Sequence, residues 1–450
     1  MIKPQIFKAN DIRGLVAGPQ PEWDVEGARA IGAAFAVAFG LAGAEFVLGR
    51  DMRQGGYELS RAFADGAMAQ GASVVDVGLA STDQLWFASG HLGLPGVQFT
   101  ASHNPSAYNG VKFCRAAAAP ITPDLMARIK ELAFEQLPPA PTRGTMREVD
   151  VLEAYAAHLH ALVDLSGQRR LKVVVDAGNG MAGHTTPAVL GSLDLDVIGL
   201  FTELDGTFPH HPPNPLEPEN LVDAQRAVRE HGADLALVFD GDADRCFIID
   251  ERGDVVSPSV ITALIAQQEL RREPGAAIVI NTITSRAVVE AVEAAGGRVV
   301  VGPVGHTYLK ALMAEHHAIF GGEHSAHYYF RDFWGADTGM LAALHVLALL
   351  GRSDKPMSAL GADLPHYAGS GEINTSVTDP LAMMGEVETV FAGRGTSDRV
   401  DGLTIRGDDW WVSVRMSNTE PLLRLNVEAR DPQVMASLRD QALAIIRRER

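Results

Sequence analysis

A run of alternating aspartates, Asp240, Asp242 and Asp244, is the strongest chemical signal in the sequence. It follows the apolar stretch 235–239, which is typical of a buried central strand in a parallel sheet. If the run stays extended, alternate side chains face the same way and the three carboxylates converge on one point. Uncompensated carboxylates repel one another, so the pattern predicts a divalent cation, with Mg²⁺ favoured, bound by carboxylates and a substrate phosphate.

The residues alone leave two other interpretations of this acidic run open. One is a calcium loop of the EF-hand type, because Glu251 falls at position 12 counted from Asp240. Against it, position 6 is Arg245 rather than glycine, and an apolar strand instead of a helix precedes the loop. The other interpretation is a solvated acidic turn, which needs no ligand.

A second polar loop, residues 100–105, contains Ser102 and breaks off abruptly from the short apolar stretch 96–99. Pro105 suits the first turn of a helix, where a missing N–H has no consequence. A serine beside a helix N-terminus is close to free backbone donors that stabilise negative charge. We therefore expect Ser102 to carry or receive a phosphate, although such turns are also common without any function.

A third polar loop alternates an acid, a hydroxyl and an imidazole. These side chains belong to Glu323, Ser325 and His327, and in an extended segment they would be presented together. Such a trio suits the hydroxyl groups of a sugar. A polar loop with one hydrogen-bonded histidine is an equally good interpretation at this point.

A fourth polar segment, residues 415–421, joins two predicted strands near the C-terminus. It offers the guanidinium of Arg415 beside hydroxyl and amide side chains, and Arg424 lies just beyond. Together with the N–H groups of a turn, these form a plausible phosphate cradle. The alternative is an ordinary hairpin turn with a surface arginine. Other basic candidates lie elsewhere in the chain, at Arg13, Lys112, Arg245, His306 and Lys310.

Two histidine pairs and one tryptophan pair are interpreted as structural features. His210-His211 and His316-His317 have no carboxylate or thiol at ligand spacing, so we expect surface histidines. Trp410-Trp411 is expected to place one ring in the core and the other at the surface of a strand.

Strand and helix signals alternate in three rounds along residues 1–366, and each round ends in one of the polar loops. Because ligand sites in open parallel sheets lie beyond the carboxyl ends of strands, we expect the loops to converge on one cleft. The predicted strands are 45–50, 73–79, 97–100, 171–176, 195–200, 235–239, 277–281, 298–301 and 318–320, and the predicted helices are 57–70, 221–230, 261–270, 286–294 and 307–315.

The last 80 or so residues have a different pattern. Residues 403–406, 410–415 and 422–429 alternate like antiparallel strands, and a helix is predicted from Pro432 onward. The predicted fold is therefore α/β with three related modules and mixed sheets, followed by a smaller C-terminal α+β domain with an antiparallel sheet. The predicted domains are 1–145, 146–253, 254–366 and 367–450.

Composition limits the classes of partner. The 450 residues carry a net charge of −18, which argues against nucleic acid or an anionic membrane as a partner. An anionic substrate would then need a local basic pocket.

The cysteines and the N-terminus bear on the compartment. Two cysteines, Cys114 and Cys246, indicate a reducing compartment without a disulfide framework. The N-terminus lacks the apolar core of a signal peptide, and the uncharged stretch 30–44 is too short to span a membrane and predicts a buried helix. We expect a cytoplasmic protein.

Six motifs in one order give the chain its resemblance to a known family. It resembles the α-D-phosphohexomutases, the phosphomannomutase/phosphoglucomutase group, and the resemblance covers nearly the whole length. The motifs are DIRG at 11–14, TASHNP at 100–105, NGVKF at 109–113, DGDADR at 240–245, GEHSAH at 322–327 and RMSNTEP at 415–421.

The resemblance implies a heart-shaped protein of four domains around a central cleft, and it implies roles for the motif residues. Ser102 would be the phosphoserine, and its phosphate would bind Mg²⁺ together with the three aspartates. Residues matching the sugar-binding loop are Glu323, Ser325 and His327. Those matching or adjoining the phosphate-binding loop are Arg415, Ser417, Asn418, Thr419 and Arg424. Those near the transferring phosphoryl group are Arg13, His103, Lys112, Arg245 and His306.

The implied reaction moves a phosphate between the 6- and 1-hydroxyls of a hexose through a hexose 1,6-bisphosphate, which would also serve as activator. The SNTEP stretch and the aromatic residues after GEHSAH resemble bacterial phosphomannomutases, with glucose phosphates as a further substrate class. Phosphoglucosamine mutase, a serine and metal sugar phosphatase, and a non-catalytic sugar-phosphate sensor are the alternatives. The protein is expected to be a monomer or homodimer. Asn10 and Ala326 depart from the tyrosine and glycine common in the family.

Overall fold

The computed structural model describes residues 1–416 and 422–448 of the chain. These residues form two compact units. The first unit comprises Met1–Pro258 and Ser325–Leu360, and the second comprises Ser259–His324 and the chain from Gly361 onward.

The first unit opens with a mixed six-stranded sheet in the order β1-β5-β4-β2-β3-β6. Strand β2 runs parallel to β3 and β4, whereas β5 is antiparallel to both β1 and β4. Four phenylalanine rings from helices and strands pack in its core, at positions 35, 46, 63 and 113, and each ring centroid lies within 6.4 Å of at least two of the others. The elements are β1 (Asp11–Leu15), α1 (Val25–Ala38), β2 (Glu45–Arg50), α2 (Gly56–Ala69), β3 (Ser73–Leu79), α3 (Thr82–Leu92), β4 (Gly96–Phe99), β5 (Tyr108–Cys114), α4 (Pro123–Leu132) and β6 (Met146–Glu148).

A second mixed sheet follows in the same unit, in the order β11-β10-β9-β7-β8. Its central strand β7 is parallel to β8 and β9, and β10 returns antiparallel to β9. All five residues of β9 are buried, as the apolar run predicts. The elements are α5 (Leu152–Leu162), β7 (Leu171–Asp176), α6 (Ala182–Leu190), β8 (Leu195–Leu200), α7 (Val222–His231), β9 (Leu235–Phe239), β10 (Cys246–Asp250) and β11 (Val255–Val256).

The next stretch of chain contributes to both units. In the second unit, β12 lies parallel to β13 and β14, and in the first unit β15 and β16 form an antiparallel pair. The elements are α8 (Pro258–Arg272), β12 (Ala277–Asn281), α9 (Arg286–Ala294), β13 (Arg298–Gly302), α10 (His306–Glu315), β14 (Phe320–Gly322), β15 (Tyr328–Phe330), β16 (Ala336–Asp337), α11 (Gly339–Gly351) and α12 (Met357–Leu360).

The C-terminal region of the second unit is an antiparallel sheet in the order β17-β22-β21-β20-β19, with β18 also pairing with β22. This confirms the predicted antiparallel domain. Trp411 is buried and Trp410 is partly exposed, as expected. The elements are β17 (Ala368–Gly369), β18 (Ile373–Ser376), α13 (Pro380–Val390), β19 (Thr396–Asp398), β20 (Leu403–Arg406), β21 (Trp410–Met416), β22 (Leu422–Ala429) and α14 (Pro432–Ile446).

Most predicted elements are confirmed within a few residues, and one prediction is partly wrong. The uncharged stretch 30–44 is helical only to the end of α1, because Gly40 and Gly43 adopt positive φ angles of 66° and 79° in the turn that follows. Strands β1 and β5 were not predicted. In the part of the chain that the structure describes, the helices are all too short or too polar to cross a membrane.

Candidate functional site

Ser102 lies in a tight turn between β4 and β5, and the predicted helix after it is wrong. The chain passes from β4 through bends directly into β5, because β5 pairs antiparallel with β4. Ser102 is buried and has a φ of 51°, which is strained for a residue with a side chain. Its backbone N–H donates to the Thr100 hydroxyl at 2.9 Å.

Arg53, which sequence reasoning missed, braces this turn. Its buried guanidinium donates to the carbonyl oxygens of Ser102 and Asn104, both at 2.7 Å, and to that of Pro105 at 2.9 Å. Asp51 lies 3.3 Å from the same guanidinium and balances its charge. The conformation of the serine loop therefore depends on a fixed cation below it rather than on a helix N-terminus.

The three aspartates converge as predicted, although for a different reason. The segment after β9 turns instead of staying extended, with Ala243 at a φ of 59°. One carboxylate oxygen from each of Asp240, Asp242 and Asp244 lies within 4.8 Å of the others, and all three side chains are buried. The Ser102 hydroxyl donates to Asp240 Oδ2 at 3.0 Å.

Two buried cations face these carboxylates. Lys112 Nζ donates to Oδ2 of Asp242 at 2.7 Å and to Oδ2 of Asp244 at 2.6 Å. Arg245 donates to Asp240 Oδ2 at 2.6 Å and to the Ser102 hydroxyl at 3.0 Å. We refer to these groups as the serine–carboxylate cluster, and its members are Ser102, Lys112, Asp240, Asp242, Asp244 and Arg245.

Arg13 and His103 border the cluster. Arg13 donates to Asp11 at 2.7 Å and to the Asn104 side chain in the serine loop at 2.9 Å. His103 Nδ1 lies 3.3 Å from the Ser102 hydroxyl and also contacts Arg245. Burial and the charge of Arg245 lower the His103 pKa well below its usual range, so the imidazole is neutral at pH 7.

The pKa values within the cluster follow from burial and charge. Burial raises the pKa of Asp240 to about 7, with Arg245 opposing this rise and the neighbouring carboxylates adding to it. Burial alone would also raise the pKa of Asp244, but the charges of Lys112 and His327 hold it well below its usual range. For Lys112, burial lowers the pKa, yet Asp242 and Asp244 raise it overall.

The donor set of the cluster fits a hard divalent cation. Three buried carboxylates and a serine oxygen are the oxygen ligands that Mg²⁺ takes. Asp242 Oδ1 is buried and accepts no hydrogen bond from residues 1–416 or 422–448. A buried acceptor in this state is costly, and a cation would satisfy it.

The calcium-loop alternative is wrong. Glu251, which would be the twelfth ligand, accepts hydrogen bonds from Ser358, from its backbone N–H at 3.0 Å and from its hydroxyl at 2.5 Å. Its carboxylate therefore accepts hydrogen bonds from the first turn of α12.

Part of the predicted sugar-binding loop reaches the cluster. His327 Nε2 lies 3.5 Å from Asp244 Oδ1, and His327 Nδ1 is 3.0 Å from the Ser325 hydroxyl. Ala326 between them has a φ of 63°, which a glycine would adopt without strain. Glu323 is buried and belongs to the second unit. The start of α10, where His306 lies partly exposed, belongs to the same unit.

The predicted phosphate-binding loop is only partly described. Arg415 on β21 and Arg424 on β22 are opposite each other in the sheet. Both bind Glu372, at 2.9 Å and 3.2 Å, and Arg415 also lies 3.4 Å from Asp401. We refer to them as the C-terminal arginine pair. The remaining predicted residues, Ser417, Asn418 and Thr419, lie outside the described residues.

The prediction of surface histidines is wrong for His211. Its Nε2 lies 3.3 Å from both oxygens of Asp176, and the side chain is buried. His211 is far from Asp176 in the sequence, so no local ligand spacing revealed the pair. His316 and His317 are at least partly exposed, as expected.

Comparison with known proteins gives matches along the whole chain. The family models described as phosphoglucomutase/phosphomannomutase alpha/beta/alpha domains I, II and III match residues 4–138, 153–253 and 257–367, and the C-terminal domain model matches 372–445. A protein of Escherichia coli (strain K12) named phosphomannomutase is 38% identical over 462 residues and covers 100% of both chains. A Xanthomonas campestris protein named phosphohexose mutases is 38% identical and covers 97% of this chain and 98% of its own.

A solved structure is similar over the same length. It is a phosphoglucomutase/phosphomannomutase family protein from Burkholderia thailandensis, with a TM-score of 0.91 and 32% sequence identity. The match covers 99% of this chain and 98% of that one. Three α/β domains and a C-terminal domain with an antiparallel sheet are therefore confirmed as the fold class.

Proposed function

The chain belongs to the phosphoglucomutase/phosphomannomutase family, and we propose that it is a phosphomannomutase that interconverts mannose 6-phosphate and mannose 1-phosphate. The observation that carries the proposal is the Ser102 hydroxyl, buried between Asp240 and Arg245 beside two further carboxylates. Full-length relatives named phosphomannomutase support the choice of sugar. Glucose phosphates are a second substrate class, consistent with the broader name of the Xanthomonas campestris relative.

In this proposal Ser102 carries the phosphoryl group and its neighbours stabilise the charge. Asp240, Asp242 and Asp244 would hold Mg²⁺ together with the serine phosphate, and when bound the ion would neutralise charge on the transferring group. Arg245, which already donates to the Ser102 hydroxyl, would donate to the phosphate that replaces its proton. Lys112 reduces the electrostatic repulsion between the carboxylates of Asp242 and Asp244.

Proton transfer to and from the sugar hydroxyl needs a group near Ser102. His103 is close to the Ser102 hydroxyl, but burial and Arg245 lower its pKa well below its usual range, which makes its ring a weak proton acceptor. Arg13 orients the loop through Asn104. His306 is proposed for a related role from the family resemblance alone. The pH dependence of kcat in single variants of these residues would identify the general base.

The rest of the substrate would be bound by the other loops. Glu323, Ser325 and His327 are proposed to bind the sugar hydroxyls. Residues Arg415, Ser417, Asn418, Thr419 and Arg424 are proposed to bind the phosphate that is not being transferred. A hexose 1,6-bisphosphate would be both intermediate and activator, and the sugar would turn over between the two transfers. The domain limits 1–145, 146–253, 254–366 and 367–450 remain part of the proposal.

A substrate panel tests the proposal. The purified protein is given Mg²⁺, a hexose 1,6-bisphosphate and the 1- or 6-phosphate of mannose, glucose or glucosamine, and the products are followed by ³¹P NMR. We expect isomer formation to be fastest with mannose phosphates. Glucosamine phosphates turning over at least as well would overturn the assignment of the sugar. Release of inorganic phosphate in excess of isomer would identify a phosphatase instead.

A further inference from the structure

Thr82, the first residue of α3, holds Asp242 at two points. Its hydroxyl donates to Asp242 Oδ2 at 2.5 Å, and its backbone N–H donates to the Asp242 carbonyl at 3.0 Å. The two residues are 160 positions apart in the sequence, and both are fully buried. Thr82 therefore fixes both the backbone and the carboxylate of a predicted metal ligand.

The two oxygens of the Asp242 carboxylate have different surroundings. Oδ2 accepts hydrogen bonds from Thr82 and, at 2.7 Å, from Lys112. Oδ1 is the buried oxygen that accepts none among the described residues. Because two donors hold Oδ2, the carboxylate cannot rotate freely about its bond to the rest of the side chain. The position of Oδ1 is therefore fixed as well.

We propose that Thr82 is a positioning residue that orients the Asp242 carboxylate so that Oδ1 is presented to the divalent cation. This inference rests on the proposed function, because it assumes that the three aspartates hold a metal ion. Partners that hydrogen-bond to metal ligands orient those ligands and commonly change metal affinity about 10- to 100-fold when removed. Thr82 is the hydroxyl partner of this kind for Asp242.

The start of α3 is rigid enough for this role. Ser81 caps the helix by accepting from the Gln84 N–H at 3.2 Å, and its hydroxyl donates to Asp83 at 2.5 Å. Asp83 also accepts from Tyr155 and from Thr338, both at 2.7 Å. The first turn of α3 is thus tied to α5 and to the residue before α11, so Thr82 has little freedom to follow a displaced carboxylate.

A conservative pair of variants separates the hydroxyl from the side-chain shape. Thr82→Val keeps the shape and removes the hydroxyl, whereas Thr82→Ser keeps the hydroxyl. Without the Thr82 bond, Lys112 is the remaining partner of Oδ2 among the described residues, and the carboxylate can turn toward that cation and away from the metal. Thr404→Val is a matched control, because Thr404 is equally buried and its hydroxyl donates to Ser413 in the C-terminal sheet.

The test measures metal binding directly. Mn²⁺ alone, a hard cation with a similar preference for oxygen ligands, is titrated into each full-length protein and free Mn²⁺ is followed by EPR. We expect Thr82→Val to weaken Mn²⁺ binding about 10- to 100-fold. We expect Thr82→Ser and Thr404→Val to stay within about threefold of the unchanged protein, a margin well below that loss. Thermal unfolding of each variant checks that folding is retained.

The outcomes distinguish this inference from the proposed function. If the unchanged protein binds Mn²⁺ and shows mutase activity while Thr82→Val binds the ion equally well, the positioning role is wrong and the function stands. An unchanged protein that binds no divalent cation would contradict both. If Thr82→Val unfolds, the affinity of Thr82→Ser decides, since a tenfold loss with the hydroxyl present would contradict the proposal.

Discussion

In the serine–carboxylate cluster, buried charged groups contact several partners, whereas the C-terminal arginine pair shares one partly exposed carboxylate. Asp240 accepts hydrogen bonds from both Ser102 and Arg245, and Lys112 donates to two further aspartates. In the second unit, Glu372 binds both Arg415 and Arg424 with its side chain 30% exposed. Both regions are proposed to bind phosphate. The cluster is fixed by many contacts, whereas the two arginines share Glu372, and Arg415 has Asp401 as a second, more distant acceptor.

The difference matches the two tasks. Phosphoryl transfer depends on positioning and on preorganised charge, so the groups around Ser102 must hold still. In the proposed reaction, the region that binds the other phosphate would have to accept a sugar in two orientations. An arginine held by Glu372 can exchange that carboxylate for a phosphate, because a phosphate offers the same kind of charge-assisted hydrogen bonds.

The largest effect should come from breaking the cluster. Asp242→Asn removes a negative charge and one acceptor from the predicted metal site, and we expect kcat to fall at least about 10³-fold, the scale of losing a charge-stabilising group in phosphoryl transfer. Steady-state kinetics with mannose 1-phosphate would measure it. Asp440→Asn, an exposed change on α14, is the control. A loss below tenfold would show that the cluster is structural.

Changing the arginine pair should affect binding more than turnover. Arg415→Lys keeps the charge but loses the paired donors, so we expect KM to rise about 10- to 100-fold with a smaller change in kcat. Arg424→Lys is the matched variant, and because its side chain is 35% exposed against 7% for Arg415, we expect less than about a tenfold effect. Equal losses, or a loss confined to kcat, would remove the distinction between the two regions.

A smaller effect, on stability alone, should come from His211. Its neighbour Pro213 lies beside Gly241, between two of the predicted metal ligands. Although burial lowers the pKa of His211, the hydrogen bond and charge of Asp176 raise it above 6.5 overall, with Asp223 adding to the rise. The charged pair therefore stabilises the fold fully below pH 6.5, and this contribution is lost as pH rises through the folded-state pKa.

We expect His211→Asn to lower the free energy of unfolding by about 1–3 kcal/mol at pH 6 and by less at pH 9. Urea unfolding at the two pH values measures this, with His316→Asn at a more exposed site as the control. The same loss at both pH values would show that His211 acts by packing alone, and the charged pair would then not support the loop.

Local patterns in the sequence predicted most elements, and they placed Ser102 and the three aspartates after the strands that precede them in the structure. The buried run of β9 and the alternating strands of the C-terminal sheet follow from hydrophobic periodicity. The aspartates were predicted to converge because alternate side chains of an extended segment face the same way, and they converge although the segment turns.

What the sequence did not reveal depends on residues far apart in the chain. The serine turn has its shape because β5 pairs with β4 and because Arg53, 49 residues earlier, binds its carbonyl groups. Local signals at Pro105 favoured a helix, and long-range strand pairing prevailed. The pairs His211–Asp176 and Thr82–Asp242 likewise join segments whose spacing carries no periodic signal.

The central claim is that Ser102 carries the transferred phosphate. The most direct measurement is peptide mapping by mass spectrometry after the protein is incubated with Mg²⁺ and a hexose 1,6-bisphosphate, with Ser102→Ala run in parallel. We predict a covalent phosphate on Ser102 in the unchanged protein and no mutase activity in the variant. A Ser102 that stays unmodified throughout, together with a Ser102→Ala protein that still interconverts mannose phosphates, would contradict the account.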